Sequence, residues 1–177
     1  MLNSQDKGLI YVFTGNGKGK TTAAIGQAVR AVGQGWKVLM VQFIKKWISG
    51  EISPLKELGV EIYPMGLGFV GIMGDTLPRS DHEKAAREAL KFVRKKIRKG
   101  SYDLLILDEV NVAISLGLID VKAVLQLLKD RPKDLDVILT GRDAPKEFIE
   151  IADLVSEVKE VKHPFAKGET AKKGIEF

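Results

Sequence analysis

Cysteine is absent from the 177 residues, which excludes disulfide staples, thiolate metal centres and cysteine nucleophiles together. Histidine occurs only as His82 and His163, too few for a structural zinc site once cysteine is gone. Aromatic residues make up 7%, and no basic strand carries the interleaved aromatics on which single-stranded nucleic acid stacks. No nucleic-acid partner is expected. No apolar run reaches the roughly 20 residues that cross a bilayer. The opening MLNSQDKGLIYVFTG has neither the basic start nor the long apolar stretch of a secretory signal. A cytoplasmic protein with no membrane association is expected. Neither sign of charge dominates: 28 Lys and Arg against 23 Asp and Glu leave a net +5, an excess that can attract nucleic acid and equally a polyphosphate or another anionic ligand.

The remaining composition, 45% hydrophobic and 29% charged, fits one α/β domain over residues 1–177 with a sizeable core. Apolar runs of strand length alternate with segments of helical period, which predicts a mostly parallel sheet with helices on both faces. Strands are expected at 9–14, 37–43, 60–64, 103–108 and 135–140, with an alternating edge strand at 154–161. Helices are expected at 20–33, 81–98, 120–129 and 145–152, with a helical turn after Asn111. Ala23, Ala24, Gly26, Ala28 and Ala31 should let the first helix pack closely on the sheet, and Gly33 and Gly35 should end it. Ser80 and Glu83 fit a capping box. The basic residues Arg94, Lys95, Lys96, Arg98 and Lys99 suit the solvated end of that helix. Trp36 and Trp47 read as packing residues. Segments 44–59 and 65–79 are the least regular, and loops beyond the C-terminal strand ends are where such sheets bind ligands.

Between the first strand and first helix stands Thr14-Gly15-Asn16-Gly17-Lys18-Gly19-Lys20-Thr21-Thr22. It approximates the G-x-x-x-x-G-K-[ST] phosphate loop, with Thr14 in place of the first glycine. Glycines let successive amides point inward, and the helix N-terminus adds its positive end. Lys20 supplies a point charge for phosphate oxygens, Thr21 a hydroxyl for Mg2+, and Thr22 a further hydrogen bond. Lys18 is a second cation that either touches phosphate or points to solvent. The apolar strand Leu104–Leu107 ends in Asp108 and Glu109. Carboxylates there need a cation to balance them, so one of the two is expected to reach the metal directly or through water; the alternative is a pair capping the next helix. Arg142, in Thr140-Gly141-Arg142, is placed to clamp phosphate or to form a surface salt bridge. Together these features predict a three-layer P-loop NTPase fold.

The phosphate loop TGNGKGKTTAA, Arg30-Ala31-Val32-Gly33, VQFIK at 41–45, MGLGF at 65–69, LDE at 107–109, TGR at 140–142, VKHPFAKG at 161–168 and the final GIEF together resemble the ATP:corrinoid adenosyltransferases of RecA-like P-loop fold. The resemblance runs from about residue 8 to residue 177. It implies transfer of the 5′-deoxyadenosyl group of ATP to the Co(I) of a corrinoid, with triphosphate released. The substrate's own cobalt is the nucleophile in that family, and the nucleotide lies reversed relative to ordinary P-loop ATPases. By carry-over, Gly15, Asn16, Gly17, Lys18, Gly19, Lys20, Thr21 and Thr22 bind the triphosphate, Thr21 with Glu109 or Asp108 holds Mg2+, and Arg30 and Arg142 contact the nucleotide. Lys20, Arg142 and Phe69 are the catalytic candidates. Phe69 matches the phenylalanine that displaces the lower axial ligand of cobalt. A homodimer and an electron-donating reductase or flavoprotein are the implied partners.

Two departures stand out. Gly71 occupies the place where the family commonly has tryptophan. Only about eight residues precede the first strand, where some relatives have a longer arm covering the partner's site, so 44–57 or 70–79 are expected to fill that role. His163 belongs to a tail expected to fold back by the site, or else serves as a loop hydrogen-bonder. Two rival readings are a phosphoryl-transferring kinase or ATPase that uses Glu109, and a RecA-like nucleic-acid module.

Overall fold

The structure is a computed structural model that describes residues 7–46, 49–72, 74–164 and 168–175. Its strands are β1 (Ile10–Thr14), β2 (Val38–Gln42), β3 (Glu61–Pro64), β4 (Leu104–Asp108), β5 (Asp136–Thr140) and β6 (Leu154–Glu157). Its helices are α1 (Lys20–Gly33), α2 (Ile52–Glu57), α3 (Arg79–Lys99), α4 (Val110–Ser115), α5 (Val121–Asp130) and α6 (Lys146–Ile151). The strands form one sheet in the order β3-β2-β4-β5-β1-β6, and every pairing is parallel. No helix among the described residues is long and apolar enough to cross a membrane.

The two-residue period of the strands sorts the core into two layers. Leu39, Val41, Leu105, Leu107, Val137 and Leu139 pack with Ala86, Ala89, Val93 and Ile97 of α3, Leu127 and Leu128 of α5 and Phe148 of α6. The intervening residues Val38, Met40, Leu104, Ile106 and Ile138 turn the other way, onto Ala24, Ala28 and Ala31 of α1 and Ile52 and Leu55 of α2. Continuous apolar strands such as Leu104–Leu107 are what a sheet covered on both faces demands. In α1 only Ala24, Ala28 and Ala31 of the small residues reach the sheet; Ala23 and Gly26 face outward.

Several local expectations need correction. Ser80 and Glu83 form no capping box. Pro78 is the N-cap of α3, no side chain caps it, and Glu83 instead accepts from Arg79 Nε at 3.2 Å, one helical turn away. Proline's fixed φ and the i,i+4 ion pair start the helix in place of the cap. The edge strand stops at Glu157 rather than 161, because Val158 and Lys159 turn to meet the phosphate loop. Segment 44–59 is less irregular than its composition suggests, since it contains α2. Trp36 is 41% exposed and is not a core packing residue; Trp47 lies outside the described residues.

β4 sits at the centre of this sheet, so its side chains have no room to relax. Leu105→Ala should cost about 2–5 kcal/mol through transfer and cavity terms. A lowered urea midpoint at unchanged slope is the expected result of equilibrium unfolding.

Candidate nucleotide site

The sheet order places β5 between the phosphate-loop strand β1 and the acidic strand β4. The loop after β5, carrying Arg142, therefore emerges between the loops that carry Lys20 and Glu109. All three side chains line one cleft of about 660 Å³, together with Asn16 to Thr22, Lys45, Glu51 and His163.

The phosphate loop is shaped by close contacts. A Cβ on Gly15, whose φ is 97°, would meet Val158 O at 2.4 Å, and one on Gly17 would meet the Lys159 carbonyl carbon at 2.7 Å. Gly17 N–H donates to Val158 O at 2.7 Å. The chain after β6 thus holds the loop from its outer side, and only glycine permits that approach. Thr14, which breaks the expected pattern, accepts from Ala144 N–H through Oγ1 at 3.2 Å, tying β1 to the loop that bears Arg142. Lys20 is buried and folds into the loop, donating to the carbonyls of Gly15 and Gly17 at 2.7 Å each. Burial lowers its pKa and Glu109 opposes that shift. Lys18 Nζ donates to the Ile175 carbonyl at 2.5 Å, so it is joined to the returning tail.

Asp108 is fully buried and does not line the cleft. Its Oδ1 accepts from Thr21 Oγ1 at 2.8 Å and Thr140 Oγ1 at 2.7 Å, and its Oδ2 accepts from Gln42 Nε2 at 3.0 Å. Glu109 differs. Its backbone is left-handed, with φ 61° and ψ 19°, and its side chain caps no helix although it is the N-cap of α4. A non-glycine residue in that region is strained; here its N–H is held by Thr140 Oγ1 at 2.9 Å. The strained turn leaves the carboxylate on the cleft wall. Burial, and then the charge of Asp108, push its pKa up to about 6, against the pull of Lys20, Lys45 and Arg142. The capping alternative for this acidic pair is not what the fold uses.

These donors fit a divalent cation. Thr21 gives its proton to Asp108, which leaves its oxygen lone pairs for a metal, and Glu109 is a half-buried carboxylate whose ionised form is favoured by a cation nearby. No cluster of three or more ligating side chains occurs among the described residues, so phosphate oxygens and water would have to complete the coordination of Mg2+.

Sequence reasoning overlooked Lys45, Glu51 and Gln42 as site residues. Lys45 donates to Glu51 Oε1 at 2.5 Å, and Gln42 Nε2 lies 3.4 Å from the same oxygen. Burial would raise the Glu51 pKa, but hydrogen bonds from Lys45 and Ser49 hold it down at about 2. VQFIK held only a partial hint, a glutamine ending a buried apolar strand three residues before a lysine, and nothing in it places that lysine in the cleft. Arg30 and Phe69 are not brought into the cleft. Arg30 is exposed at the last turn of α1. Phe69 is 42% exposed and lines a separate hollow of about 540 Å³ with Leu67, Ile72 and Leu77. That hollow is built by pinned backbone: Gly68 N–H donates to Ile44 O at 2.8 Å. Asp75 accepts from the N–H groups of Gly71 at 2.8 Å and Leu77 at 3.1 Å and pairs with buried His82. Gly71 has φ 70°, a backbone that disfavours the tryptophan expected there. In the VKHPF and GIEF segments, His163, Gly174 and Ile175 line the cleft; Phe165 to Lys167, Glu176 and Phe177 lie outside the described residues.

A parallel sheet with a phosphate loop at the end of β1, and an acidic pair at the end of β4 two strands away, defines a P-loop nucleotide-binding protein. The particular kind follows from comparison with known proteins. Residues 6–177 match the model of the family described as ATP:corrinoid adenosyltransferase BtuR/CobO/CobP, and the chain belongs to that family. It is 43% identical over 173 residues to the corrinoid adenosyltransferase of Escherichia coli K12, covering 97% of this chain and 87% of the relative. It is 38% identical over 174 residues to corrinoid adenosyltransferase CobA of Salmonella typhimurium LT2, covering 98% and 87%. The Pseudomonas aeruginosa corrinoid adenosyltransferase is 38% identical over 175 residues, covering 97% and 85%.

The raised Glu109 pKa has a consequence for stability. Its folded value, about 6, lies above the ordinary 4.5, so the folded state binds this proton more tightly than the unfolded chain does. The stability it contributes is complete below about pH 4.5 and is lost as pH rises through about 6, a change of about 2 kcal/mol. In metal-free buffer, unfolding free energies of wild type and Glu109→Gln should diverge by about that amount across this window, the wild type falling. Parallel pH profiles would contradict it.

Proposed function

We propose that the protein transfers the 5′-deoxyadenosyl group of ATP to the Co(I) of a corrinoid and releases triphosphate. The observation that carries this is the match to one adenosyltransferase family along residues 6–177, on a chain that folds a phosphate cleft around the matching motifs. Co(I) brings the electron pair that forms the bond to C5′. The C5′–O bond breaks, and triphosphate leaves with that bond's electrons. No protein nucleophile is required, in keeping with a chain that lacks cysteine.

The protein's task is then to position C5′ and to stabilise the leaving charge. Amides from Asn16 to Thr22, the Lys20 ammonium and the Arg142 guanidinium are assigned to the triphosphate. Mg2+, when bound, supplies neutralisation of the leaving charge; Thr21 and Glu109 would hold it, with Asp108 orienting Thr21 from behind. Phe69 is assigned to the corrinoid, where an apolar ring in place of the lower axial ligand eases reduction to Co(I). Arg30 keeps a nucleotide assignment by resemblance alone. A reductase or flavoprotein supplying the electron, a homodimeric state and a cytoplasmic setting complete the reading. The competing kinase or ATPase reading uses the same cleft but leaves ADP.

Incubation with ATP, Mg2+ and chemically reduced cobalamin should give a light-sensitive adenosylated product and one triphosphate per turnover. ADP accumulating beside an unchanged cobalamin spectrum would reject adenosyl transfer. Lys20→Ala should lower kcat/KM for ATP by about 100-fold or more, measured in the same assay. Phe69→Ala should lower kcat/KM for the corrinoid about tenfold while leaving the KM for ATP in place; an equal effect on both substrates would move Phe69 away from the corrinoid.

A further inference from the structure

The cleft has a second cationic wall. Lys45 follows β2, on the far side of β4 from the phosphate loop, yet it lines the same cleft as Lys20 and Arg142. It is also one of the cations whose field acts on the half-buried Glu109 carboxyl, beside those two. Its ammonium is held at 2.5 Å by Glu51, with side-chain exposures of only 24% and 15%. Glu51 is tied through Gln42 to Asp108, and Asp108 holds Thr21. The place of Lys45 is thus linked by hydrogen bonds to the phosphate loop itself. A triphosphate carries about four negative charges near neutral pH, and a lysine ammonium is a compact donor suited to phosphate oxygens.

We infer that Lys45 is a further contact for the triphosphate, approaching it from the β2 side of the cleft, and that Glu51 is its positioning residue. The inference rests on the nucleotide reading given above and adds a residue that reading does not use. Its rival is an ion pair that only secures the turn between β2 and α2.

A double-mutant cycle separates these. Inorganic triphosphate with Mg2+ is titrated calorimetrically into wild type, Lys45→Met, Glu51→Gln and the double variant. Glu51→Gln keeps an oxygen for Gln42. In Lys45→Met alone, weaker binding could come from the unpaired Glu51 charge; the double variant removes that charge. The double variant should still bind triphosphate about tenfold more weakly than wild type. Affinity restored to within twofold of wild type would overturn the inference and leave only the structural ion pair. A wild type that ignores triphosphate counts against the proposed function itself. If the double variant fails to fold, as read from its melting curve, the unaltered protein gives the answer. Saturating triphosphate should slow acetylation of Lys45 by acetic anhydride at least about fivefold by peptide mass spectrometry; an unchanged rate overturns the inference.

Discussion

The site depends on one buried carboxylate. Asp108 accepts from Thr21 of α1, Thr140 of β5 and Gln42 of β2, so it joins four elements at the C-terminal edge of the sheet. A buried charge of this kind is tolerable only when its oxygens are fully engaged. Each hydroxyl or amide it engages is thereby fixed in one orientation. Thr140 then has its oxygen free to accept from the Glu109 N–H, which stabilises the left-handed turn and puts that carboxylate on the cleft wall. Strand order, helix position and the strained turn all converge on this residue.

The division of labour between the two acids follows from the strand period. Asp108 is the last residue of β4 and points into the structure; Glu109 has left the strand and can turn outward. Sequence could identify the pair but could not separate their roles, because the left-handed backbone at Glu109 has no signal in residue type. The same holds for Lys45. In the sequence it is only a lysine beyond a buried strand, and the parallel placement of β2 beside β4 brings it to the cleft lined by Lys20 and Arg142.

What could be read beforehand was whatever local physics dictates. Alternating apolar runs gave the strands, the glycine-rich turn gave the loop, and small residues of α1 gave its close packing. The failures lie where a competing local start or a long-range partner decides. Ser80 and Glu83 satisfy a local capping rule, but Pro78 and the Arg79 pair start the helix instead. The alternation from 154 to 161 continues past Glu157, yet the chain leaves the sheet to meet Gly15 and Gly17. The apparent defect at Thr14 is a hydrogen bond to Ala144, invisible without the fold.

The phosphate cleft and the Phe69 hollow are separate cavities, but the segment that follows β2 lines both, through Lys45 and Lys46. The chain leaving β2 reaches Ile44, whose carbonyl receives Gly68 N–H, and then Lys45, whose ammonium is on the cleft wall. The anchor of the Phe69 loop and a cation on the cleft wall are thus consecutive residues. An adenosyl transfer needs two substrates registered to within the length of a forming bond. The proposed reaction therefore places a particular demand on the stiffness of β2, which is buried along its whole length and tied to Asp108 through Gln42. A hydrolytic ATPase, whose second reactant is water, would have no use for that shared anchor.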